Sequence, residues 1–258
     1  MHTENYLGFP GGLSPQRFLD LGRAQAVRDG ATVREERATT VRPHEAGFVV
    51  ETVDGEHLAE RVVVAAAYDG DVLVPVAEAF DRAATDADND DADKDDDGED
   101  EDPFVPTDAG RTAVDGLYVA GWMSDETAHQ VGISAGHGAR VGLALARDDT
   151  SERYWPAVGE RYVDWVVHEG RYGGDGWNEH VDEWFDREMF PDGHDLDQET
   201  VDAAREELKG EFLDRQIDAD ERDRRERESQ RMLLDHIDND LIRDRASELE
   251  EMETTHAN

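Results

Sequence analysis

The residues whose types and spacing could hold a cofactor lie in one stretch of the sequence, residues 116–147. It starts with a short apolar strand over Leu117–Ala120, followed by Gly121 and a polar turn, Trp122–Ala128. A helix is predicted to begin at about Gln130. Its small residues are Gly132, Ala135, Gly136, Gly138, Ala139 and Gly142.

These small residues favour a close approach of the helix backbone to another group. Glycine costs roughly 1 kcal/mol relative to alanine inside a helix, so a helix with several glycines needs a compensating contact. The start of a helix also carries unpaired N–H groups and a partial positive charge, which favour an electron-rich ligand atom. Two interpretations stay open from these residues alone: a ligand at the helix start, or tight packing on a neighbouring element.

Other common catalytic centres are absent from the sequence. There is no cysteine, which excludes disulfides and a dithiol redox pair in this chain. No phosphate-binding GKS/T loop or Ser-His-Asp hydrolase signature occurs, and the histidines show no HxxxH or HxxEH metal spacing. His137 falls in the small-residue helix, where we expect a packed or surface residue.

The elements before this stretch have clear local signals. Residues 1–12 are rich in Gly and Pro and predict a loop. Ser14 is a good N-cap with Pro15 at the first helical position, and Gly30 ends the predicted helix. Strands are expected at about 32–36, 38–42 and 47–53, followed by an Asp-Gly turn. The apolar run 61–67 predicts a strand buried on both faces of a parallel sheet.

Together these patterns resemble the thioredoxin-reductase-like FAD-dependent pyridine nucleotide oxidoreductases. The resemblance rests on the strand, Ala-Gly, turn, His-Gln-Val and small-residue helix of residues 117–147, and on ENYLGFPGGLSPQRFLDLGRAQAVRDGATV near the start. It covers roughly residues 4–67 and 103–147. It implies that FAD is the cofactor, with Gly121 near its ribityl-pyrophosphate region and the helix start facing the flavin ring. The cofactor-binding residues that it implies are Asn5, Tyr6, Ala66, Gly121, Trp122, His129, Gln130 and Val131.

The chain departs from this family at several positions. The family has Asp where this chain has Trp122, and the strand that usually ends Ala-Thr-Gly here ends with three alanines, 65–67. The family's N-terminal GxGxxG unit is missing, and because the chain opens within a motif we expect a truncated N-terminus. Only the 48 residues 68–115 stand where the family inserts its NAD(P) domain, so NAD(P)H is not expected to bind this chain.

The charge of the chain limits its partners and its environment. The formal net charge is −39, and the acidic residues are spread along the chain. Such a surface repels nucleic acid and anionic membranes, and its self-repulsion requires screening by salt. No apolar run reaches the length of a membrane span. We therefore expect a halophilic, acidic, cytoplasmic protein.

The expected fold class is α/β, in two parts. Residues 1–149 form an incomplete FAD-binding, Rossmann-like domain, with an acidic disordered linker at 86–102. Calcium binding by the spaced carboxylates of this linker is the alternative interpretation. Residues 150–258 form an α-helical extension with four helices, the fourth of which spans 232–242. The run 218–231 before it predicts a solvated, mixed-charge helix.

Two functions follow from these expectations. The first is an FAD-dependent oxidoreductase-like protein that resembles thioredoxin reductase but lacks dithiol chemistry. The alternative is a non-catalytic protein that keeps the flavoprotein fold as a scaffold and binds a protein partner through its helical tail. The expected partner is a second copy of the chain or another protein bound by the tail.

Overall fold

The computed structural model describes residues 3–4, 6–9, 11–66, 70–78, 108–124, 130–161, 168–169, 177–190 and 195–256. The acidic run 86–102 and residues 125–129 therefore lie outside the described part. The strands are β1 Ala38–His44, β2 Gly47–Thr52, β3 Glu56–Ala59, β4 Val62–Val64, β5 Leu117–Val119, β6 His168–Glu169 and β7 Gln216–Ile217. The helices are α1 Pro15–Arg28, α2 Val131–Arg153, α3 Pro156–Arg161, α4 Trp177–Glu188, α5 Gln198–Asp214, α6 Ala219–Leu234 and α7 Asn239–His256. The mixed α/β class and the helical C-terminal part are confirmed.

Helix α1 has the ends that its sequence predicts. The Ser14 hydroxyl accepts a hydrogen bond from the backbone N–H of Arg17 at 3.3 Å, and Pro15 is the first helical residue. Gly30 follows the helix with φ +99°. None of the residues of α1 is buried, so local capping rather than core packing defines this helix.

Strands β1, β2 and β3 form an antiparallel meander. In it Val41 of β1 pairs with Val50, and Phe48 of β2 pairs with Ala59. Val41 and Phe48 are buried, whereas Leu58 on β3 is 72% exposed. The expected strand at 32–36 is wrong: these residues are irregular. Their side chains form polar contacts instead, such as the one between Glu36 and His57 at 2.8 Å.

Strands β4 and β5 pair in parallel, with Val62 opposite Leu117 and Val64 opposite Val119. The expected burial on both faces is wrong, because Val63 is 42% exposed. Val63 is in register with Tyr118, and α2 covers only Tyr118 through Val141. The exposure follows because α2 lies over β5 and leaves the corresponding face of β4 open.

One hydrophobic cluster joins the meander to the parallel pair. It contains buried residues from β1, β2, β4 and β5, and from the segments 71–78 and 112–116. They are Val41, Phe48, Val64, Leu73, Val76, Val114 and Leu117. The sheet ends that border the candidate site therefore rest on a common core.

A second cluster lies in the helical C-terminal part. It is formed by Trp155, Val158, Phe185, Met189, Val201 and Ala204. Helix α2 continues without a break through residues 149–150 to Arg153 and leads directly into this cluster. The long helix therefore contributes to both parts of the chain.

The last two helices differ in part from expectation. The solvated helix predicted at 218–231 is confirmed as α6, which has no buried residue. The expected fourth helix across 232–242 is wrong, because α6 ends at Leu234 and α7 starts at Asn239. Asp and Asn favour the cap positions of helices over their interiors, and the segment 235–240 contains four of them. This explains why the helix is interrupted there.

Candidate functional site

The parallel strands β4 and β5 bring two of the predicted site residues to the same sheet edge. The backbone N–H of Ala120 donates to the carbonyl of Val64 at 2.8 Å, so the chain leaves both strands side by side. Ala66 follows β4 and packs against the first hydrophobic cluster. Gly121 follows β5. Ligands of open parallel sheets bind at this carboxyl edge.

Gly121 has a left-handed backbone conformation, which is strained for residues other than glycine. Its φ is +75°, and a Cβ atom placed on it would meet nothing within 4 Å. The Gly121 carbonyl accepts hydrogen bonds from the backbone N–H of Ser124 at 3.0 Å and from its hydroxyl at 2.6 Å. The backbone at the end of β5 is thus held in a left-handed turn with open space beside it.

His137 holds this turn against α2. Its side chain is only 4% exposed. Its Nδ1 atom accepts the backbone N–H of Gly121 at 3.3 Å and lies 3.4 Å from the Ser124 hydroxyl. Of the two expectations for His137, a packed or a surface residue, the structure shows the packed one. The sequence did not indicate that His137 supports the predicted site, because its position in a helix does not reveal what it faces.

Trp122 and Met123 complete the turn. The side chain of Met123 packs against the first hydrophobic cluster, whereas Trp122 is 50% exposed. The aromatic ring thus lies at the surface beside Gly121. It offers a flat apolar face but no carboxylate acceptor.

Helix α2 starts close by in the sequence with Gln130 as N-cap and Val131 as its first residue. The side chain of Gln130 makes no capping hydrogen bond, and its carbonyl accepts the N–H of Ser134 at 2.8 Å. Of the two interpretations left open for the small residues, tight packing on a neighbouring element is not found at the glycines of α2. A Cβ atom added at Gly132, Gly136, Gly138 or Gly142 would meet nothing within 4 Å.

Three further predicted site residues are outside the described part of the chain or lie on another loop. Asn5 and His129 lie outside the described residues. The ring of Tyr6 packs edge-to-face against Phe18 of α1, with 4.8 Å between the ring centroids. None of the hydrophobic clusters of the described chain contains a residue of α1 or of the loop before it. The structure therefore groups Ala66, Gly121 and Trp122 and places Tyr6 on a separate loop.

Two groups of ion pairs fix the other end of α2. Arg111 donates two hydrogen bonds to Asp148, at 2.8 and 2.9 Å, and Tyr118 donates a third at 2.7 Å. Burial opposes ionisation of Asp148, but the hydrogen bonds from Arg111 and Tyr118 outweigh it and lower the pKa of the carboxyl. Arg61 binds Asp149 at 2.7 Å and Glu152 at 2.6 Å. These contacts hold α2 against β5 and against Arg61, the residue before β4.

No group of three or more His, Asp or Glu side chains in the described part of the chain is placed to bind a metal ion. None of the helices within the described ranges is long and apolar enough to cross a membrane.

Two solved structures are similar to part of the chain. A thioredoxin reductase from Gloeobacter violaceus aligns with a TM-score of 0.44 and 17% identity, covering 64% of this chain and 84% of that chain. The T. acidophilum thioredoxin reductase aligns with a TM-score of 0.41 and 15% identity, covering 57% of this chain and 84% of that chain. No family model and no curated protein matches the sequence.

Proposed function

We propose that the chain is an FAD-dependent oxidoreductase-like protein without dithiol chemistry. The flavin would lie at the carboxyl edge of β4 and β5. The observation that carries this proposal is the juxtaposition of Ala66 and Gly121 at the ends of two parallel strands, followed by the start of α2. A parallel sheet edge of this kind is where nucleotide cofactors bind in α/β proteins.

The residues at this edge fit the flavin end of such a cofactor. The open space beside Gly121 leaves room for a ligand atom against the backbone. Trp122 is half-exposed next to it and offers an aromatic face. The start of α2 carries no side-chain cap from Gln130, and its first N–H groups and partial positive charge would favour an electron-rich ring edge.

The chain's own residues would orient the cofactor. When bound, FAD supplies the electron transfer. His137 would keep the peptide plane of Gly121 fixed through the hydrogen bond to its N–H. Gln130 and Val131 would present the helix start, whose dipole favours negative charge. Because the chain has no cysteine, electrons could not leave through a dithiol of this chain.

Retention of FAD by the full chain tests this proposal. The chain would be folded in about 2 M KCl to screen its charge, incubated with FAD and passed through a gel-filtration column. We expect flavin absorbance to elute with the protein. A folded chain that elutes without flavin would refute the proposal.

Two glycine variants test the location of the flavin. Gly121 and Gly30 both have positive φ, +75° and +99°, and both have open space around the missing Cβ. Alanine at either position therefore adds similar backbone strain. We expect Gly121→Ala to weaken FAD binding by about tenfold or more, equivalent to at least about 1.4 kcal/mol, whereas Gly30→Ala should bind like the wild type. Equal effects of the two variants would place the flavin elsewhere.

The second candidate function is a non-catalytic scaffold that binds a protein through its helical tail. The observation that favours it is the exposure of large apolar side chains on α6 and α7, including Leu233 at 45% and Leu241 at 60%. In the flavin experiment, this function would give a folded chain without flavin.

A further inference from the structure

His137 is a buried histidine on the side of α2 that faces the end of β5. Its side chain is 4% exposed. Val141, one turn further along the helix, is also buried and packs against Tyr118 and Ala120. Because residues four apart lie on the same side of a helix, His137 and Val141 both face this strand and the turn after it. Histidine is the side chain whose charge changes between about pH 5 and 8, so its position makes the neighbouring backbone sensitive to protons.

The hydrogen bonds of His137 determine which ring nitrogen carries the proton. A backbone N–H can only donate, and the N–H of Gly121 lies 3.3 Å from Nδ1 of His137. Nδ1 is therefore the acceptor, and the proton of the neutral ring is on Nε2. The hydroxyl of Ser124 donates to the Gly121 carbonyl at 2.6 Å. The Ser124 oxygen therefore presents lone pairs rather than a proton to Nδ1, which is 3.4 Å away.

Protonation at Nδ1 reverses this arrangement. In the imidazolium ion both ring nitrogens are donors. The Nδ1–H group would then face the N–H of Gly121, and two donors cannot form a hydrogen bond, whereas the Ser124 oxygen can accept the new proton. The Gly121 N–H would lose its partner beside a buried ring, which is unfavourable for a backbone group.

We propose that His137 is a proton-dependent switch for the turn 121–124. Neutral His137 accepts the Gly121 N–H and holds the turn against α2. Protonated His137 donates to Ser124 Oγ instead and releases the peptide of Gly121 from the helix. The turn is therefore held at about pH 8 and loosened at about pH 5.

The surrounding charges alter the pH at which the switch acts but not its direction. The turn 121–124 itself has no titratable side chain. The titratable and charged side chains on the neighbouring described elements are Tyr118 on β5, Asp71 and Glu78 on the segment 70–78, and Arg140, Arg147 and Asp148 along α2. The Tyr118 hydroxyl binds Asp148, which lies three helical turns, or roughly 16 Å, from His137 along α2. A positive charge nearby opposes protonation and a negative charge favours it, but neither changes the donor and acceptor roles at Nδ1.

Hydrogen exchange of the Gly121 amide tests the switch in the full chain. The chain would be kept in about 2 M KCl to screen its charge, and each exchange rate would be divided by the intrinsic rate at the same pH. We expect the protection of Gly121 to fall at least about tenfold between about pH 8 and pH 5. Asp148 stays ionised in this range, because its pKa is lowered from 3.8, so the other end of α2 remains anchored.

The amide of Ala120 is the internal control for this measurement. It donates to the Val64 carbonyl at 2.8 Å and does not contact His137 through this bond. Its protection should change less than about threefold over the same pH range. Constant protection of Gly121, or an equal fall at Ala120, would overturn the proposal.

The ring nitrogens of His137 report the change in hydrogen bonding directly. In chains with nitrogen-15-labelled histidine, we expect Nδ1 unprotonated and Nε2 protonated at about pH 8, and both nitrogens protonated at about pH 5. A proton on Nδ1 in the higher range would contradict acceptance from Gly121 and overturn the proposal.

Two asparagine variants separate His137 from the other histidines. His137→Asn keeps an acceptor but has no titrating ring, so the protection of Gly121 should no longer depend on pH. His44→Asn is the matched control, because Nδ1 of the exposed His44 accepts the Ala46 N–H at 3.2 Å. It should leave the fall in protection at Gly121 intact. A fall of the same size in His137→Asn would assign the switch to another group and overturn the proposal.

The consequence for FAD rests on the function proposed above. Because the proposed flavin lies against Gly121, release of this peptide should raise the FAD dissociation constant at least about tenfold between about pH 8 and pH 5, and less than about threefold in His137→Asn. A chain that binds no FAD at the higher pH would refute the proposed function, while the exchange measurements decide the switch independently. FAD affinity that stays constant while the protection of Gly121 falls would overturn the link between the switch and the cofactor.

Discussion

The hydroxyl group of Tyr118 donates a hydrogen bond to Asp148 at 2.7 Å and thereby joins strand β5 to helix α2. Burial and the Asp148 carboxylate both raise the pKa of Tyr118, which keeps its hydroxyl protonated as a donor. Arg111 binds the same carboxylate with two hydrogen bonds. One carboxylate therefore positions the helix whose other end borders the candidate site.

We expect replacement of Asp148 by Asn to lower the free energy of unfolding by roughly 1–3 kcal/mol at neutral pH, because Arg111 loses a charged partner. The ordinary pKa of this side chain is 3.8, and the folded protein lowers it. The ionised group therefore stabilises the fold above pH 3.8, and this contribution is lost as the pH falls from there through the lower folded-state value. Urea unfolding between neutral pH and about pH 3 should show the difference between wild type and variant shrinking in acid.

The control for this prediction is Asp115→Asn, a change at an exposed aspartate. It should alter the free energy of unfolding by less than about 0.5 kcal/mol. A difference between wild type and Asp148→Asn that stays constant down to the lowest pH would show that ionised Asp148 does not stabilise the fold.

Local sequence signals were sufficient to predict several helices and strands. Ser14, Pro15 and Gly30 determine the ends of α1 through capping and backbone conformation, which depend on adjacent residues. The apolar run Leu117–Ala120 and the small residues after Gln130 likewise predicted β5 and α2. The apolar run 61–67 predicted a strand of a parallel sheet, which β4 is, but its pairing with β5 was not predicted.

The contacts that support the candidate site could not be predicted in this way. Arg111 and Asp148 are far apart in the sequence, so no local pattern predicts their ion pair. The hydrogen bond between Gly121 and His137 could not be predicted for the same reason. Val63 was expected to be buried because the sequence does not reveal that α2 covers β5 alone. The ends of α6 and α7 were missed because apolar residues continue through the turn at 235–238, where cap-forming residues interrupt the helix.

Gly159 is the point at which α3 packs closely against α2. It is buried, and a Cβ atom there would overlap the Ser151 hydroxyl and the Arg147 carbonyl. We expect Gly159→Ala to lower the free energy of unfolding by roughly 1–3 kcal/mol through overpacking. The matched change Gly142→Ala, in open space on α2, should raise it by roughly 0.5–1 kcal/mol because alanine favours the helix. Thermal unfolding of both variants checks this, and a stabilised Gly159→Ala chain would contradict the packing of α3 on α2.

Trp155 links α3 to the end of α4. It is 4% exposed, and its indole N–H donates to the carbonyl of Met189 at 2.6 Å. Phenylalanine would leave this carbonyl without its donor, so Trp155→Phe should lower the free energy of unfolding by roughly 1–3 kcal/mol. The control is Trp184→Phe, a partly buried residue on the same cluster, which should have a smaller effect. Equal losses in denaturant unfolding would show that the hydrogen bond contributes nothing beyond ring volume.

The net charge of −39 makes stability dependent on salt. The Debye length falls from about 10 Å at 0.1 M to about 3 Å at 1 M, so KCl should screen most of the self-repulsion within this range. We expect the unfolding temperature to rise steeply up to about 1 M KCl and more slowly above it. Calorimetry over this series tests the prediction, and an unfolding temperature that is constant or falls with KCl would contradict it.

His137 stabilises the turn at Gly121 by accepting its backbone N–H at Nδ1. Leucine cannot accept this hydrogen bond, so His137→Leu should lower the free energy of unfolding by roughly 1–3 kcal/mol and speed the hydrogen exchange of the Gly121 amide. His137→Asn keeps an acceptor near the position of Nδ1 and should retain part of the protection. The matched control is His44→Leu, which removes a similar hydrogen bond from the Ala46 N–H, at 3.2 Å, to an exposed histidine. That change should cost less than about 0.5 kcal/mol. Unaltered exchange at Gly121 in His137→Leu would show that the histidine does not hold the turn at the candidate site.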